Sequence, residues 1–192
     1  MGVEYEWKLK ASAQVQEELY QKIEGNWQKM NMETTYYDTV DGRLSGLHYT
    51  LRCRRENDIS VCTIKTPSDD GGRGEWEVEE SNIVQAIQKL CKLGAPENLL
   101  ELTKDGVRAI CGAKFVRRFC QIDIGAAIVE LALDQGVLTG GSRELPLCEV
   151  EIELKEGSKE SAAAFAMHLA KKYGLCPEKK SKFRRALDLT KE

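Results

Sequence analysis

The stretch Val3-Glu4-Tyr5-Glu6-Trp7-Lys8-Leu9-Lys10 decides the fold. Successive side chains of a strand point to opposite faces. Read as a strand, this segment puts Glu4, Glu6, Lys8 and Lys10 on one face and Val3, Tyr5, Trp7 and Leu9 on the other. One face is ionic and the other apolar. The separation returns down the chain: Arg52 and Arg54 beside Leu51 and Cys53, Glu75, Glu77 and Glu79 beside Trp76 and Val78, and Glu149, Glu151, Glu153 and Lys155 beside Val150, Ile152 and Leu154. Segments of period two cover roughly 3–10, 33–40, 47–55, 59–66, 74–80, 113–123, 126–134 and 147–155. Asn57-Asp58 and Ile124-Gly125 are tight connections, which predicts antiparallel pairing. About eight strands close a small barrel.

Taken singly, each of these strands is an ordinary half-buried strand with a solvated polar face. Taken together they read differently. A solvated face mixes signs, whereas same-face runs of glutamate place like charges about 7 Å apart, which is unfavourable unless cations compensate. If the barrel turns its charged face inward, acidic positions can hold Mg²⁺ or Mn²⁺ and basic positions can hold phosphates. Helical spacing appears at Val15, Leu19 and Ile23, at Ile83, Val84, Ile87, Leu90 and Cys91, and at Phe165, Leu169 and Tyr173, with Gly25, Gly94 and Gly174 as stops. A short fourth helix is read over Pro96–Lys104, and a basic segment runs from Lys179 to Arg185. The expected fold is α+β: a closed eight-stranded antiparallel β-barrel, a tunnel with a charged lumen and helices packed outside.

Composition narrows the function classes. With 192 residues, 42% hydrophobic and 31% charged, the chain suits one core, and residues 1–192 are expected to form a single domain. No stretch approaches the roughly 18 apolar residues of a membrane span, and the start is acidic where a signal peptide is basic and then apolar. A cytoplasmic protein without membrane partners is expected. Seven cysteines without a CxxC pair read as reduced core thiols. Only His48 and His168 offer imidazoles, so any metal is expected to be hard and oxygen-bound. A net charge of −3 gives no basic excess for a nucleic-acid partner.

Glu4-Tyr5-Glu6-Trp7-Lys8 has the ExExK form that marks the CYTH proteins, also called triphosphate tunnel metalloenzymes. Further motifs follow in that family's order: Leu51-Arg52-Cys53-Arg54, Thr63-Ile64-Lys65, Arg73-Gly74-Glu75-Trp76-Glu77, Phe115-Val116-Arg117, Val129 to Gly136, Cys148 to Lys155, and Ser181-Lys182-Phe183-Arg184. The chain resembles the family over nearly its whole length. The stretches from Val129 and from Cys148 look most like the bacterial inorganic triphosphatase branch, whose barrel is often followed by a histidine-rich helical domain that these residues do not contain.

The resemblance implies an enzyme, a divalent-metal-dependent triphosphatase that cuts inorganic triphosphate (tripolyphosphate) into pyrophosphate and phosphate. It implies Lys8, Arg52, Arg54, Lys65, Arg117 and Lys182 as phosphate ligands, with Arg184 and Arg118 as further additions. Arg117 and Arg118 point to opposite faces, and the motif selects Arg117. Glu4, Glu6, Glu149, Glu151 and Glu153 would bind one or two ions of Mg²⁺ or Mn²⁺, while Glu4, Glu6, Lys8 and Lys65 would lie nearest the chemistry. Glu75, Glu77 and Asp134 would hold basic side chains in place. Lys10 and Lys155 are expected as rim charges, Glu79 and Glu80 as solvated, Trp7 and Trp76 as packing residues, and Tyr36, Tyr37 and Asp38 carry no assignment. The same architecture implies alternatives: hydrolysis of thiamine or nucleoside triphosphates, cyclisation of ATP as in a class IV-type adenylate cyclase, or polyphosphate binding without turnover. A small-molecule triphosphate partner and a monomer or homodimer complete the expectation.

Overall fold

The computed structural model describes residues 2–67 and 73–191; the side chains of residues 2–4 lie outside the described set. Among the described residues ten strands form one sheet: β1 (Gly2–Glu4), β2 (Glu6–Lys10), β3 (Gln28–Asp38), β4 (Thr50–Glu56), β5 (Ile59–Pro67), β6 (Arg73–Glu79), β7 (Arg108–Asp123), β8 (Ala127–Gly140), β9 (Arg143–Gly157) and β10 (Cys176–Pro177). Six helices accompany them: α1 (Ala13–Lys22), α2 (Arg43–Gly46), α3 (Ile83–Lys92), α4 (Leu99–Leu102), α5 (Lys159–Tyr173) and α6 (Lys182–Asp188). The sheet order is β1-β6-β5-β4-β3-β7-β8-β9-β2-β10, and the pairings are antiparallel.

The first segment, expected as one strand over 3–10, is divided at Tyr5. A strand has two edges, and its halves use different ones. Glu4 of β1 pairs with Arg73 of β6, whereas Glu6 of β2 pairs with Glu153 of β9. Among the described residues no hydrogen-bonded ladder joins β1 to β10, so the sheet is not closed by hydrogen bonds as the sequence predicts for a barrel. Its far-apart members are joined covalently instead, through Tyr5, whose carbonyl accepts the Leu154 N–H at 2.9 Å.

The eight expected strands are all present, but several are longer. β8 and β9 run on to the Gly140–Arg143 pair, through Gly136 and Pro146, where the sequence suggests loop. Their pairing with each other outweighs the turn composition. Residues 47–49, expected as strand, instead follow α2. Here the buried Asp38 carboxylate accepts the N–H groups of Thr39, Leu44 and Ser45 at 2.8, 2.9 and 3.2 Å, tying a helical turn to the end of β3. Expected helix starts hold at Ser12 and Ser158, whose hydroxyls accept from Val15 and Ser161 N–H groups. The third helix is capped by Asn82, one residue beyond the expected Ser81.

Two apolar clusters lie on the outer face. Leu9, Leu131, Leu133, Val150 and Ile152 pack under α1 and α5 through Leu19, Ala162, Ala166 and Leu169, with Trp7 alongside. Leu51 and Ile64 pack under α2, α3 and α4 through Leu44, Ile87, Leu90 and Leu99, with Trp76 and Val78. The third cluster lies on the other face. Met32, Tyr36, Ala113, Phe115, Leu138 and Leu147 share strand parity with the ionic residues, and Phe183 and Ala186 of α6 cover them. The inner face is therefore ionic over part of its length and apolar where α6 enters. Gly140 permits that entry, because a Cβ there would lie 2.3 Å from the Ala186 carbonyl oxygen. None of the helices among the described residues is long and apolar enough to cross a membrane.

Candidate functional site

The inner faces of β2 to β9 and the start of α6 enclose a cavity of about 310 Å³. Register explains the composition of its wall. Across β8, β9 and β2, Glu130 pairs with Glu153, and Glu153 with Glu6, making a row of three carboxylates. Lys8 pairs with Glu151 one step along. Across β4, β5 and β6, Thr50 pairs with Lys65, and Lys65 with Glu75, while Arg52 and Arg54 follow at alternate positions of β4. Arg117 of β7 pairs with Asp134 of β8. Among the described residues, eight basic and seven acidic side chains line the cavity.

The basic residues fall into two electrostatic groups. Lys182 Nζ lies 2.7 Å from both Asp134 and Glu151 and also touches Glu149. Arg117 donates twice to Asp134 at 2.8 Å and also contacts Glu151. Burial disfavours both charges, yet the surrounding carboxylates outweigh it and hold both groups above their ordinary values. Glu151 shows the reciprocal effect: burial alone would raise it, but Lys182 and Arg117 keep it well below the carboxylate range. Glu149 behaves differently. It is fully buried, pairs with Lys182 and Arg185, and burial pushes it up to about 7.

Arg54 lies on the opposite side of this balance. Burial and the neighbouring charge of Arg52 lower it, although Glu56 accepts from its Nε at 2.6 Å. Arg52 Nε is buried without a hydrogen-bond partner, and the Arg52–Glu75 ion pair is long at 3.8 Å. Cationic charge is crowded here: Glu56 accepts from both Nε and Nη2 of Arg54, while Arg52 has no close acidic partner among the described residues, the condition that favours an incoming anion.

Asp134, Glu149 and Glu151 offer oxygens within 4.8 Å of one another. The Lys182 ammonium contacts all three, and Arg117 and Arg185 complete a balance of three cations against three carboxylates. Glu6, Glu130 and Glu153 form a second row of carboxylates, set side by side by strand register. Their lysine contacts come from side chains that are themselves partly exposed: Lys8 on Glu6 at 2.7 Å, and Lys155 on Glu153 at 2.9 Å and Glu130 at 3.6 Å.

Of the residues singled out from the sequence, Glu6, Lys8, Arg52, Arg54, Lys65, Glu75, Glu77, Arg117, Glu151, Glu153 and Lys182 meet at the cavity. The Glu4 side chain lies outside the described residues. Asp134 and Glu149 sit behind the wall, fully buried and holding cavity lysine and arginine. Arg184 is not brought in; half exposed, it pairs with Asp188 at 3.4 Å. Arg118 faces outward to Glu17 at 2.9 Å. Lys10 is exposed as expected of a rim charge, whereas Lys155 lines the cavity. Sequence reasoning missed Glu130, although its parity with Asp134 was available, and Tyr36, which pairs with Arg52 on the inner face. Arg185 was missed because nothing before the fold shows α6 entering the sheet.

These features define a class: an α+β protein whose antiparallel sheet wraps an ionic face around a cavity and keeps its apolar face under helices. The chain belongs to the CYTH domain family, whose model matches residues 2–187. It is 28% identical over 168 residues to the inorganic triphosphatase of Haemophilus influenzae, covering 84% of this chain and 48% of that protein. The chain thus spans about half the length of the curated relative it matches. Its fold is similar to that of the PH1819 protein of Pyrococcus horikoshii OT3, with TM-score 0.64, 23% identity and 96% and 98% of the two chains covered. It is similar as well to HpAC1 from Hippeastrum, a putative adenylyl cyclase described as having a dominant triphosphatase activity. There the TM-score is 0.65, the identity 20% and the coverage 98% and 96%.

Proposed function

We propose that this protein is a divalent-metal-dependent triphosphatase that hydrolyses tripolyphosphate to pyrophosphate and phosphate within a tunnel that β1 and β2 together close. The observation that carries the reading is the crowded cationic pair Arg52 and Arg54, with Arg52 Nε unpartnered, facing one cavity with the carboxylate row Glu6, Glu130 and Glu153. Similarity to a protein named inorganic triphosphatase supports it.

Arg52, Arg54 and Lys65 bind and orient the phosphate chain, and their charge offsets what accumulates on the phosphoryl oxygens during cleavage. Glu6, Glu130 and Glu153 would hold the ion, with Glu4 and Glu151 as further oxygen donors. When bound, Mg²⁺ or Mn²⁺ supplies charge neutralisation and a more acidic water. Lys8 reaches Glu6 at 2.7 Å and so sits at the boundary between metal side and phosphate side. Asp134 and Glu149 position Arg117 and Lys182 rather than meeting the substrate.

One feature favours a second reading. Met30 and Phe119 line the cavity beside Arg117 and offer an apolar wall to an organic group attached to a triphosphate, as in thiamine triphosphate or ATP. Phosphate release from tripolyphosphate, ATP and thiamine triphosphate, each with Mg²⁺, Mn²⁺ or chelator, tests both. Metal-dependent release fastest from tripolyphosphate supports the first. Preference for an organic triphosphate selects the second, and pyrophosphate with cyclic AMP from ATP would replace hydrolysis by cyclisation.

A further inference from the structure

On the outer face of β4, between Arg52 and Arg54, Cys53 stands directly opposite Cys62 of β5. Backbone hydrogen bonds show which kind of cross-strand pair this is. The Asn57 N–H donates to the Asn31 carbonyl at 2.9 Å, so with the β3–β4 register the peptide groups of residues 57, 55 and 53 turn toward β3. The Glu80 N–H donates to the Ser60 carbonyl at 2.9 Å, so those of residues 60 and 62 turn toward β6. Cys53 and Cys62 therefore form a non-hydrogen-bonded pair, the closer kind, with Cα atoms typically about 4.5 Å apart. A disulfide accepts Cα separations of about 4.4–6.8 Å.

The thiols already converge. Both donate to the Glu80 carbonyl oxygen, Cys53 at 3.5 Å and Cys62 at 3.1 Å. Cys53 is partly exposed and Cys62 fully buried. Their proximity draws the Cys53 thiol down and pushes Cys62 up, and the partly exposed Cys53 is the sulfur a small disulfide can reach, so Cys53 is the nucleophile. No other two cysteines are register partners among the described residues.

We propose that Cys53 and Cys62 are a reversible dithiol–disulfide site that exchanges with low-molecular-weight disulfides such as oxidised glutathione. The Cys53 thiolate attacks one sulfur of the small disulfide, whose S–S bond breaks; a mixed disulfide forms and one glutathione leaves as thiolate and takes up a proton. The Cys62 thiol then gives up its proton as its sulfur attacks Cys53 Sγ, forming the protein disulfide and releasing the second glutathione, which takes up that proton. The protein gives up two electrons and two protons, and the small disulfide gains both.

The test is incubation of the reduced full chain with oxidised glutathione, alkylation of remaining thiols in denaturant, and peptide mapping by mass. Exposed Cys176 serves as the reagent control. The expected product links Cys53 to Cys62 and is reversed by dithiothreitol. In Cys62→Ser, Cys53 should carry one glutathione instead; in Cys53→Ser, Cys62 should remain a free thiol. Alkylation of both Cys53 and Cys62 in the treated wild type, or an unmodified Cys53 in Cys62→Ser, would overturn the proposal.

Discussion

Arg54 and Lys182 both line the cavity, yet burial and Arg52 lower the first, while three carboxylates outweigh burial and raise the second. They should respond differently to substitution. Arg54→Ala removes charge-assisted contacts worth about 1.5–3 kcal/mol to an anion, so KM for tripolyphosphate should rise roughly ten- to a hundredfold with little change in melting temperature. An unchanged KM and kcat would remove Arg54 from the phosphate site. Glu6→Ala should lower turnover by about a hundredfold or more, the scale of losing one preorganised charged contact, while the fold persists. Near-normal activity in excess Mg²⁺ would exclude Glu6 as a metal ligand. Glu149 should appear in the pH dependence of stability. Its folded value, about 7, exceeds the ordinary 4.5, so between those limits the folded state keeps a proton that the unfolded state has released. Stability should fall as pH rises through that window, by up to roughly 1.4 kcal/mol per pH unit. Glu151, shifted the other way, acts below that window, losing its contribution as pH falls. Urea unfolding of wild type and Glu149→Gln from pH 4.5 to 7 should therefore give a falling curve and a flatter one.

At the scale of elements, alternation in β2, β4, β6 and β9 was legible because each strand is apolar on one side and charged on the other. Ile152 illustrates the outer side: fully buried under α1 and α5, it should cost about 2–5 kcal/mol when changed to alanine, read as a lower melting temperature. What stayed illegible has physical causes. The ends of β8 and β9 carry glycines and a proline that suit turns, and only long-range pairing makes them strand. The division at Tyr5 depends on which edge each half meets. The inward course of α6 is set by residues far apart in sequence, with the Phe183 ring tilted against Tyr36 at 5.1 Å between centroids and Gly140 leaving space for the Ala186 carbonyl. The parity rule could place Glu149 on the inner face but could not show that Lys182 and Arg185 cover it. Gly140→Ala links this packing to the site. The added Cβ must displace α6, which carries Lys182, so both melting temperature and substrate affinity should drop. A variant with normal affinity would show that α6 can shift without moving Lys182.

For the molecule as a whole, the decisive quantity is the charge enclosed by the sheet. Among the described residues, eight basic side chains face seven acidic ones, so this part of the lining is nearly neutral before any ligand enters. A triphosphate brings about four or five negative charges, which this wall cannot offset alone. Divalent ions at Glu6, Glu130 and Glu153 would supply the missing charge and would let Lys8 and Lys155 turn from their carboxylates toward phosphate. Metal and triphosphate should therefore bind cooperatively, each weakly without the other. Thermal unfolding separates the contributions. With both Mg²⁺ and excess tripolyphosphate, a ligand at a hundred times its Kd adds about 2.7 kcal/mol, or roughly 5–10 °C for a chain of this size. With tripolyphosphate and chelator, or with Mg²⁺ alone, the shift should be a small part of that. Equal stabilisation by tripolyphosphate in chelator would mean that the basic side chains suffice, and the carboxylate row would then need another explanation than holding an ion.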